Sequence, residues 1–246
     1  VMRGAKGIGT VIGVETFVVR VWLPDRPGAL GHVASRIGAV QGDVVGIDIL
    51  ERGGGSAIDE LTVTLPSSDL VDLLVAEIRQ VDGVAVEDVR PVAAGRPEGG
   101  MAALGAAEAI VSAWPEERPQ IACCQLRTLV DGDWSVLMRL PDGETVARCG
   151  DPVDADWLTA FLIGSEHLGN EHEHTPGDLV WTRLPRHGMA FASGRSGRVF
   201  HARERHEVHV LEAHARVAVA CAECHFKAQR LPSFAPAPAE PLGWAL

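Results

Sequence analysis

Apolar residues along the first third of the chain recur with two alternating periods. Every second residue is apolar from Phe17 to Val21, which predicts a β-strand. The next apolar residues recur every three or four positions, as on one face of a helix, and are Leu30, Val33, Ala34 and Ile37. The elements predicted after this helix are strands at 43–51 and 58–65, a helix at 70–78 and a strand at 84–92. This β-α-β-β-α-β order predicts a ferredoxin-like module in an α+β protein.

The turn between the first strand and the first helix suits a small ligand. Pro27 fits a first helical turn without losing a needed N–H group, and Gly28 leaves the backbone open to close approach. Free N–H groups at Gly28, Ala29 and Leu30 would bind a carboxylate, while Asp25 would bind an ammonium group. The turn therefore offers both charges that an α-amino acid needs. The same residues also form a stable turn without any ligand.

Residues 16–93 resemble an ACT domain, a small regulatory module that commonly binds amino acids. The resemblance rests on the turn at 25–30 and on Gly42-Asp43-Val44 at the start of the second strand. It implies a ligand held between this turn and a partner subunit, in a homodimer whose sheets join through an exposed edge of the first or second strand. The candidate ligand-binding residues are Asp25, Arg26, Pro27, Gly28, Ala29, Leu30, Asp43 and Val44.

The identity of the ligand stays open at this stage. Leu23 and Asp25 stand where one serine-binding version of the ACT domain has His and Asn. Many ACT-like domains bind no small molecule and serve only as dimerisation units.

The rest of the chain predicts a second domain at 101–230, after a linker rich in Gly and Pro at 94–100. Its first predicted element is a helix whose apolar face carries Leu104, Ala107, Ile110, Val111 and Trp114. A meander of three strands follows, at 121–130, 134–140 and 145–149. The remaining predicted elements are a helix at 154–167, strands at 179–184 and 189–193, an extended segment at 199–201 and a helix at 203–230. This antiparallel sheet with helices, and the run from Gly194-Arg195 to Glu204, resemble the GAF family of ligand-sensing domains. Residues 1–15 predict a leader, and residues 231–246 a tail rich in Pro and Ala.

Composition narrows the classes of partner. The chain has 33 acidic and 22 basic residues and a net charge of −11, which disfavours binding to a phosphate backbone and so excludes nucleic acid. No apolar run reaches the roughly 20 residues of a membrane span, so no membrane association is expected. Five cysteines, an odd number, do not suggest a disulfide framework, and reduced thiols indicate a cytoplasmic protein.

Two clusters raise the question of a metal. Cys221, Cys224 and His225 lie at helical spacings of three and four residues, which could direct three ligands to zinc. Cysteines also pack well in an apolar core, and that interpretation predicts no metal here. The His and Glu residues at 171–174 stand in a polar segment and are interpreted as surface residues. No cofactor is expected.

The sequence contains no nucleophile elbow, no phosphate-binding loop and no paired zinc-ligand motif. We therefore expect a non-catalytic regulatory or sensor protein that binds a small ligand, an amino acid, at the ACT-like interface and signals to an unidentified downstream protein. Two alternatives stay open: a zinc protein built on the Cys/His cluster, and a purely structural dimerisation protein.

Overall fold

The computed structural model describes residues 14–96, 99–140, 142–165, 177–184 and 188–208. Within these residues the chain forms two units, and each contains a four-stranded antiparallel sheet. No helix in this part of the chain is long and apolar enough to cross a membrane.

The N-terminal unit has the predicted ferredoxin-like topology. Its elements are β1 (Glu15–Pro24), α1 (Ala29–Ala39), β2 (Asp43–Gly53), β3 (Ser56–Leu65), α2 (Val71–Ile78) and β4 (Ala85–Val92). The strands lie in the order β2-β3-β1-β4, so β1 and β3 are central. The strand and helix boundaries match the prediction to within a few residues.

Both faces of the central strand β1 are buried, for different reasons. Phe17, Val19 and Val21 pack with α1 and α2 in one apolar core. Val18 and Arg20 point to the opposite face, because neighbouring residues of a strand alternate between faces, and they are fully buried too. Contacts with the second unit cover that face, so the sheet lies between its own helices and the second unit.

The prediction of an exposed strand edge is right for β2 and wrong for β1. β1 pairs with β3 on one side and with β4 on the other, which leaves it no free edge. β2 pairs only with β3 among the described strands. Val45, Ile47 and Ile49 of β2 are exposed apolar residues. An apolar strand edge of this kind can pair with another strand.

The second unit is an antiparallel sheet with helices, as predicted in outline. Its elements are α3 (Gly99–Ser112), α4 (Arg118–Leu129), β5 (Trp134–Arg139), β6 (Thr145–Cys149), α5 (Ala155–Gly164), β7 (Leu179–Leu184) and β8 (Met189–Gly194), followed by helix α6 at 202–208. The strands lie in the order β6-β5-β8-β7. The assignment of this unit to the GAF family stays a prediction.

The predicted strand at 121–130 is wrong, because these residues belong to α4 and the loop after it. The buried positions Ala122, Leu126 and Val130 are spaced by four residues, which is helical spacing. Pro119 lies in the first turn of this helix, a position that tolerates proline. The predicted meander is wrong for the same reason: β5 forms a hairpin with β6, and its other edge pairs with β8.

The apolar face predicted for the first helix of this unit is also wrong in part. Ile110 is buried as expected, but Leu104, Val111 and Trp114 are exposed and Ala106 is buried instead. The helix starts at Gly99, inside the predicted linker, and no strand forms at 199–201.

Several predictions lie outside the described residues. They concern the leader up to residue 13, the segment at 171–174, the final helix beyond residue 208, the cluster of Cys221, Cys224 and His225, and the tail at 231–246.

Candidate ligand-binding site

The turn between β1 and α1 is held in place by backbone hydrogen bonds. The Asp25 N–H group donates to the Gly55 carbonyl oxygen at 3.0 Å, which joins the turn to the β2–β3 hairpin. Gly28 occupies the N-cap position of α1 with a φ of 89°, a conformation that favours glycine. No side chain caps this helix. A Cβ atom at Gly28 would meet nothing within 4 Å, so the start of α1 is open to a ligand.

The consecutive turn residues at 25–30 differ in exposure. Asp25, Arg26, Pro27 and Gly28 are exposed, whereas Leu30 is half-buried. Of the three N–H groups predicted to bind a carboxylate, Ala29 N–H donates within the turn, to the Arg26 carbonyl oxygen at 3.3 Å.

Asp43 and Val44 lie far from the turn in the same chain. Asp43 pairs with Thr64 near the end of β3, whereas Pro24, next to the turn, pairs with Ser56 at the start of β3. Eight residues of a strand span roughly 26 Å. One chain therefore does not bring Asp43 and Val44 into the same site as the turn.

Asp59 is a residue near the turn that the sequence analysis missed. It lies on β3 on the face that packs against the helices, two residues from Ala57, which pairs with Leu23. Asp59 is only 3% exposed, and its Oδ1 atom has no hydrogen-bond partner among the described residues. An acidic residue in the apolar alternation of Ala57, Leu61 and Val63 was the signal available in the sequence.

Burial raises the pKa of the Asp59 carboxyl group. Arg52 acts in the opposite direction, and the negative charge of Asp25 adds to the increase. The turn therefore has two interacting carboxyl groups beside it, one exposed and one buried. A buried carboxylate oxygen without a hydrogen bond is costly, so a cationic donor would be favoured there.

A buried ionic network connects the two units. Arg20 of β1 donates to Glu60 of β3 at 2.7 Å and to Glu204 of α6 at 3.0 Å. Burial alone would lower the pKa of Arg20, but Glu204 and Glu60 outweigh this effect and raise it. The guanidinium group therefore stays charged, and it holds one carboxylate from each unit.

Contacts within the second unit hold Glu204 in the position from which it accepts hydrogen bonds from Arg20. It accepts the backbone N–H group of His201 at 2.9 Å, as a residue in the first turn of a helix commonly does. It also forms two hydrogen bonds with Arg195, at 2.7 and 2.9 Å. The guanidinium group of Arg195 stacks over the ring of Phe200 at 3.9 Å. The run from Arg195 to Glu204, noted in the sequence, thus forms the part of the second unit that faces β1.

Further polar contacts extend this interface on both sides of Arg20. They join Arg90 to Asp131 at 2.7 Å, Arg203 to Asp48 at 2.8 Å, and His201 to Glu87 at 3.0 Å. Each contact pairs a residue of one sheet with a residue of the other unit. The relative position of the two units is therefore specified by paired polar and charged side chains.

A cavity of about 510 Å³ lies between the units beside this network. Its walls come from β1, β2, β3 and residues 94–96 on one side and from α3, α4, the loop after α4 and α6 on the other. The polar residues that line it are Thr16, Asp48, Glu60, Thr62, Thr64, Arg96, Gln125, Thr128, Asp131, Arg203, Glu204 and Glu207. No group of three or more His, Cys, Asp or Glu residues in the described ranges could hold a metal ion.

Comparisons with known proteins give partial likenesses. No protein-family model matches the sequence, and no curated protein matches it significantly. The ACT domain from GTP pyrophosphokinase of Chlorobium tepidum is similar over 32% of this chain and 100% of its own, with 18% identity and a TM-score of 0.27. The C-terminal domain of the MgtC protein from Mycobacterium tuberculosis is similar over 35% of this chain and 96% of its own, with 20% identity and a TM-score of 0.29.

A protein of unknown function from Galdieria sulphuraria is similar over a longer stretch, 87% of this chain and 95% of its own, with 14% identity and a TM-score of 0.32. The ferredoxin-like assignment of the N-terminal unit stands on its own strand order, β2-β3-β1-β4.

Proposed function

We propose that this chain is a non-catalytic regulatory protein that binds a small zwitterion, an amino acid, at the turn between β1 and α1. The observation that supports this most directly is the buried Oδ1 atom of Asp59, which has no hydrogen-bond partner among the described residues and whose carboxyl group interacts electrostatically with Asp25 of the turn. The ligand carboxylate binds the free N–H groups at the helix start, where the helix dipole favours an anion. The ligand ammonium group binds Asp25 and supplies the hydrogen bond that Asp59 lacks.

The exposed edge of β2 supports a homodimer that would complete this site. In an antiparallel pairing of two β2 strands, the start of one strand lies beside the end of the other. The end of β2 leads into the hairpin whose Gly55 contacts Asp25. Asp43 and Val44 of a second copy would then lie close to the turn, although they lie far from it within one chain.

The response to the ligand passes along β1 to the second unit. This strand ends at Pro24, next to the turn, and carries Arg20 four residues earlier. Arg20 pairs with Glu204 of the second unit, so a change in the position of β1 changes the contact between the units. An amino acid acts in this way only to the extent that it binds two arrangements of the units with different affinity. The downstream protein reads the arrangement that the ligand favours.

Asp59→Asn tests this proposal. Thermal unfolding of the wild-type chain should shift upward with one or a few of the common amino acids, because a ligand at about 100 times its dissociation constant adds roughly 2.7 kcal/mol. Asp59→Asn should abolish that shift. It should also stabilise the unliganded protein by about 1 kcal/mol, since it replaces a buried carboxylate whose Oδ1 atom lacks a hydrogen bond. A residue with a purely structural role would not combine these two effects.

The matched control is Asp151→Asn, which changes an exposed carboxylate of the second unit. This variant should keep both the stability and the ligand response of the wild type. If no amino acid shifts the unfolding temperature of the wild type, the turn is not an amino-acid site. If Asp59→Asn keeps the full shift, Asp59 is not part of the site.

The cavity between the units is a second candidate site for the ligand of the same regulatory function. It has the volume of a small-molecule site, and it has walls from both units. Ala102→Leu would fill part of it from α3, whose Ala102 is half-buried in the cavity wall. We expect Ala102→Leu to leave the response to amino acids unchanged. Loss of the response in Ala102→Leu, with the response kept in Asp59→Asn, would place the ligand in the cavity instead.

A further inference from the structure

Two cysteines of the second unit lie in contact without forming a disulfide bond. Cys124 is on α4 and Cys149 is the last residue of β6, and their Sγ atoms are 2.9 Å apart. Both side chains are partly exposed. A disulfide bond is about 2.05 Å long, so the two sulfur atoms are neighbours that must come closer to form one.

Polar donors from one face of α4 surround this pair. Gln120, Cys124 and Arg127 are separated by four and three residues and therefore share a helix face. The side-chain amide of Gln120 donates to Cys124 Sγ at 3.5 Å, and the guanidinium group of Arg127 donates to Cys149 Sγ at 3.6 Å. Hydrogen bonds and a cation near sulfur favour the thiolate, which is the reactive form of cysteine.

The two thiols have different acidities. The hydrogen bond from Cys124 lowers the pKa of Cys149, and Arg127 lowers it further. Burial and the contact with Cys149 raise the pKa of Cys124. The guanidinium group of Arg127 contacts Cys149 Sγ and not Cys124 Sγ among the hydrogen bonds of the described residues, and this contact assigns attack on a small disulfide to Cys149 and the second, resolving step to Cys124.

The neighbouring Cys123 is an internal reference for an unreactive thiol. It is fully buried, and its thiol donates to the Ala147 carbonyl oxygen at 3.4 Å. Burial raises the pKa of Cys123 to about 12. Adjacent cysteines of α4 thus differ because one faces the core and the other faces Cys149.

We propose that Cys124 and Cys149 form a redox-active dithiol that exchanges with low-molecular-weight disulfides. The Cys149 thiolate attacks one sulfur of the disulfide, which forms a mixed disulfide and releases one thiolate that takes up a proton. The Cys124 thiol then loses its proton and attacks the Cys149 sulfur, which breaks the mixed disulfide and releases the second thiol. The dithiol is oxidised to an intramolecular disulfide, and the small disulfide is reduced to two thiols.

This site lies on a helix that also borders the interface between the units. Gln125, Thr128 and Leu129 of α4 line the cavity described above. A bond from Cys124 to Cys149 ties α4 to the edge strand β6. Oxidation would therefore constrain a helix that both carries Cys124 and lines the cavity.

The test uses the full chain with Cys221→Ser and Cys224→Ser, so that Cys123, Cys124 and Cys149 are the only thiols. The folded protein is equilibrated with mixtures of oxidised and reduced glutathione, trapped with acid and analysed by mass spectrometry. We expect an intramolecular disulfide, seen as the loss of two hydrogen atoms, that excess reduced glutathione reverses. Cys124→Ser should accumulate a mixed disulfide with glutathione at Cys149, whereas Cys149→Ser should not react at Cys124 at a comparable rate.

Cys123→Ala is the matched control and should form the intramolecular disulfide as readily as its parent. The proposal is wrong if the folded parent stays reduced in oxidised glutathione, or if the disulfide forms but excess reduced glutathione does not open it. It is also wrong if Cys124→Ser accumulates no mixed disulfide, or if Cys123 reacts as fast as Cys149 does.

Discussion

Replacement of Arg20 by methionine is expected to lower the free energy of unfolding by about 3–5 kcal/mol. The Arg20 side chain is fully buried and pairs with Glu60 and Glu204. Methionine fills a similar volume but leaves both carboxylates without this partner, and an uncompensated buried charge is strongly destabilising. Urea denaturation followed by tryptophan fluorescence measures the change.

Arg36→Met is the matched control for this substitution. Arg36 pairs with Glu77 across α1 and α2, but its side chain is 43% exposed. Pairs of that kind contribute about 1 kcal/mol or less, so Arg36→Met should have a small effect. Equal losses in the two variants would mean that the Arg20 network does not stabilise the contact between the units.

Acidification is expected to destabilise the protein, because three carboxyl groups at the interface between the units have lowered pKa values. Burial alone would raise the pKa of Glu60, but Arg90 and Arg20 outweigh it and lower this pKa. The pKa of Asp131 is lowered in the same way, because Arg90 and Arg198 outweigh its burial. Burial alone would raise the pKa of Glu87, but its contacts with His201, Trp22 and Arg20 together outweigh this effect and lower it. All three carboxyl groups face the interface between the units.

The sign of this effect follows from the direction of the pKa changes. A carboxyl group whose pKa is lowered by folding stabilises the folded state above its ordinary pKa of about 4, and this contribution disappears as the pH falls through the lowered pKa. Asp59 and Glu207 act in the opposite direction, because burial raises their pKa values and their protonation favours the folded state. We expect the three interface groups to dominate, so the free energy of unfolding should fall from about pH 5 downward.

Urea denaturation at a series of pH values measures this dependence. The Arg20→Met variant provides the internal comparison, because it removes one of the cations that lower the pKa of Glu60. Its stability should therefore depend less on pH below about pH 5 than that of the wild type. The same slope in both proteins would contradict the assignment of the acid effect to this network.

The N-terminal unit could be predicted from the sequence because local pattern and global fold agree there. The alternation in β1 describes its buried face correctly, and the helical spacing in α1 is correct for Val33 and Ile37 but wrong for Ala34, which is exposed. The turn residues at 25–30 form a compact local segment, so their proximity needed no tertiary information. The position of Asp43 did need it, since the far end of α1 separates it from the turn.

The second unit was harder to predict because its apolar pattern is ambiguous. Residues 121–130 contain Ile, Cys, Leu, Thr and Val, a composition typical of strands, yet their buried positions repeat every four residues. Short apolar segments of this kind do not distinguish a strand from a buried helix. Trp114 suggested an apolar helix face, but it lies beyond the end of α3 and is exposed.

The interface between the units left almost no signal in the sequence. The alternation in β1 predicts that Arg20 is exposed to solvent. In the structure the second unit covers Arg20, and its side chain is buried. Its partner Glu204 is 184 residues away along the chain. Such pairs depend on how the two units pack against each other. The alternation of apolar and polar residues within one strand contains no information about that packing. Asp59 differs in this respect, since a charge on an apolar strand face could be recognised in the sequence.

The most direct test of an amino-acid site at the turn between β1 and α1 is to locate where an amino acid binds. Backbone amide chemical shifts of the full chain, recorded with and without an amino acid that raises the unfolding temperature, locate the site. We predict that the largest changes occur at residues 25–31, at the β2–β3 hairpin and at Asp59. Changes confined to cavity residues such as Thr62 and Gln125 would contradict an amino-acid site at the turn.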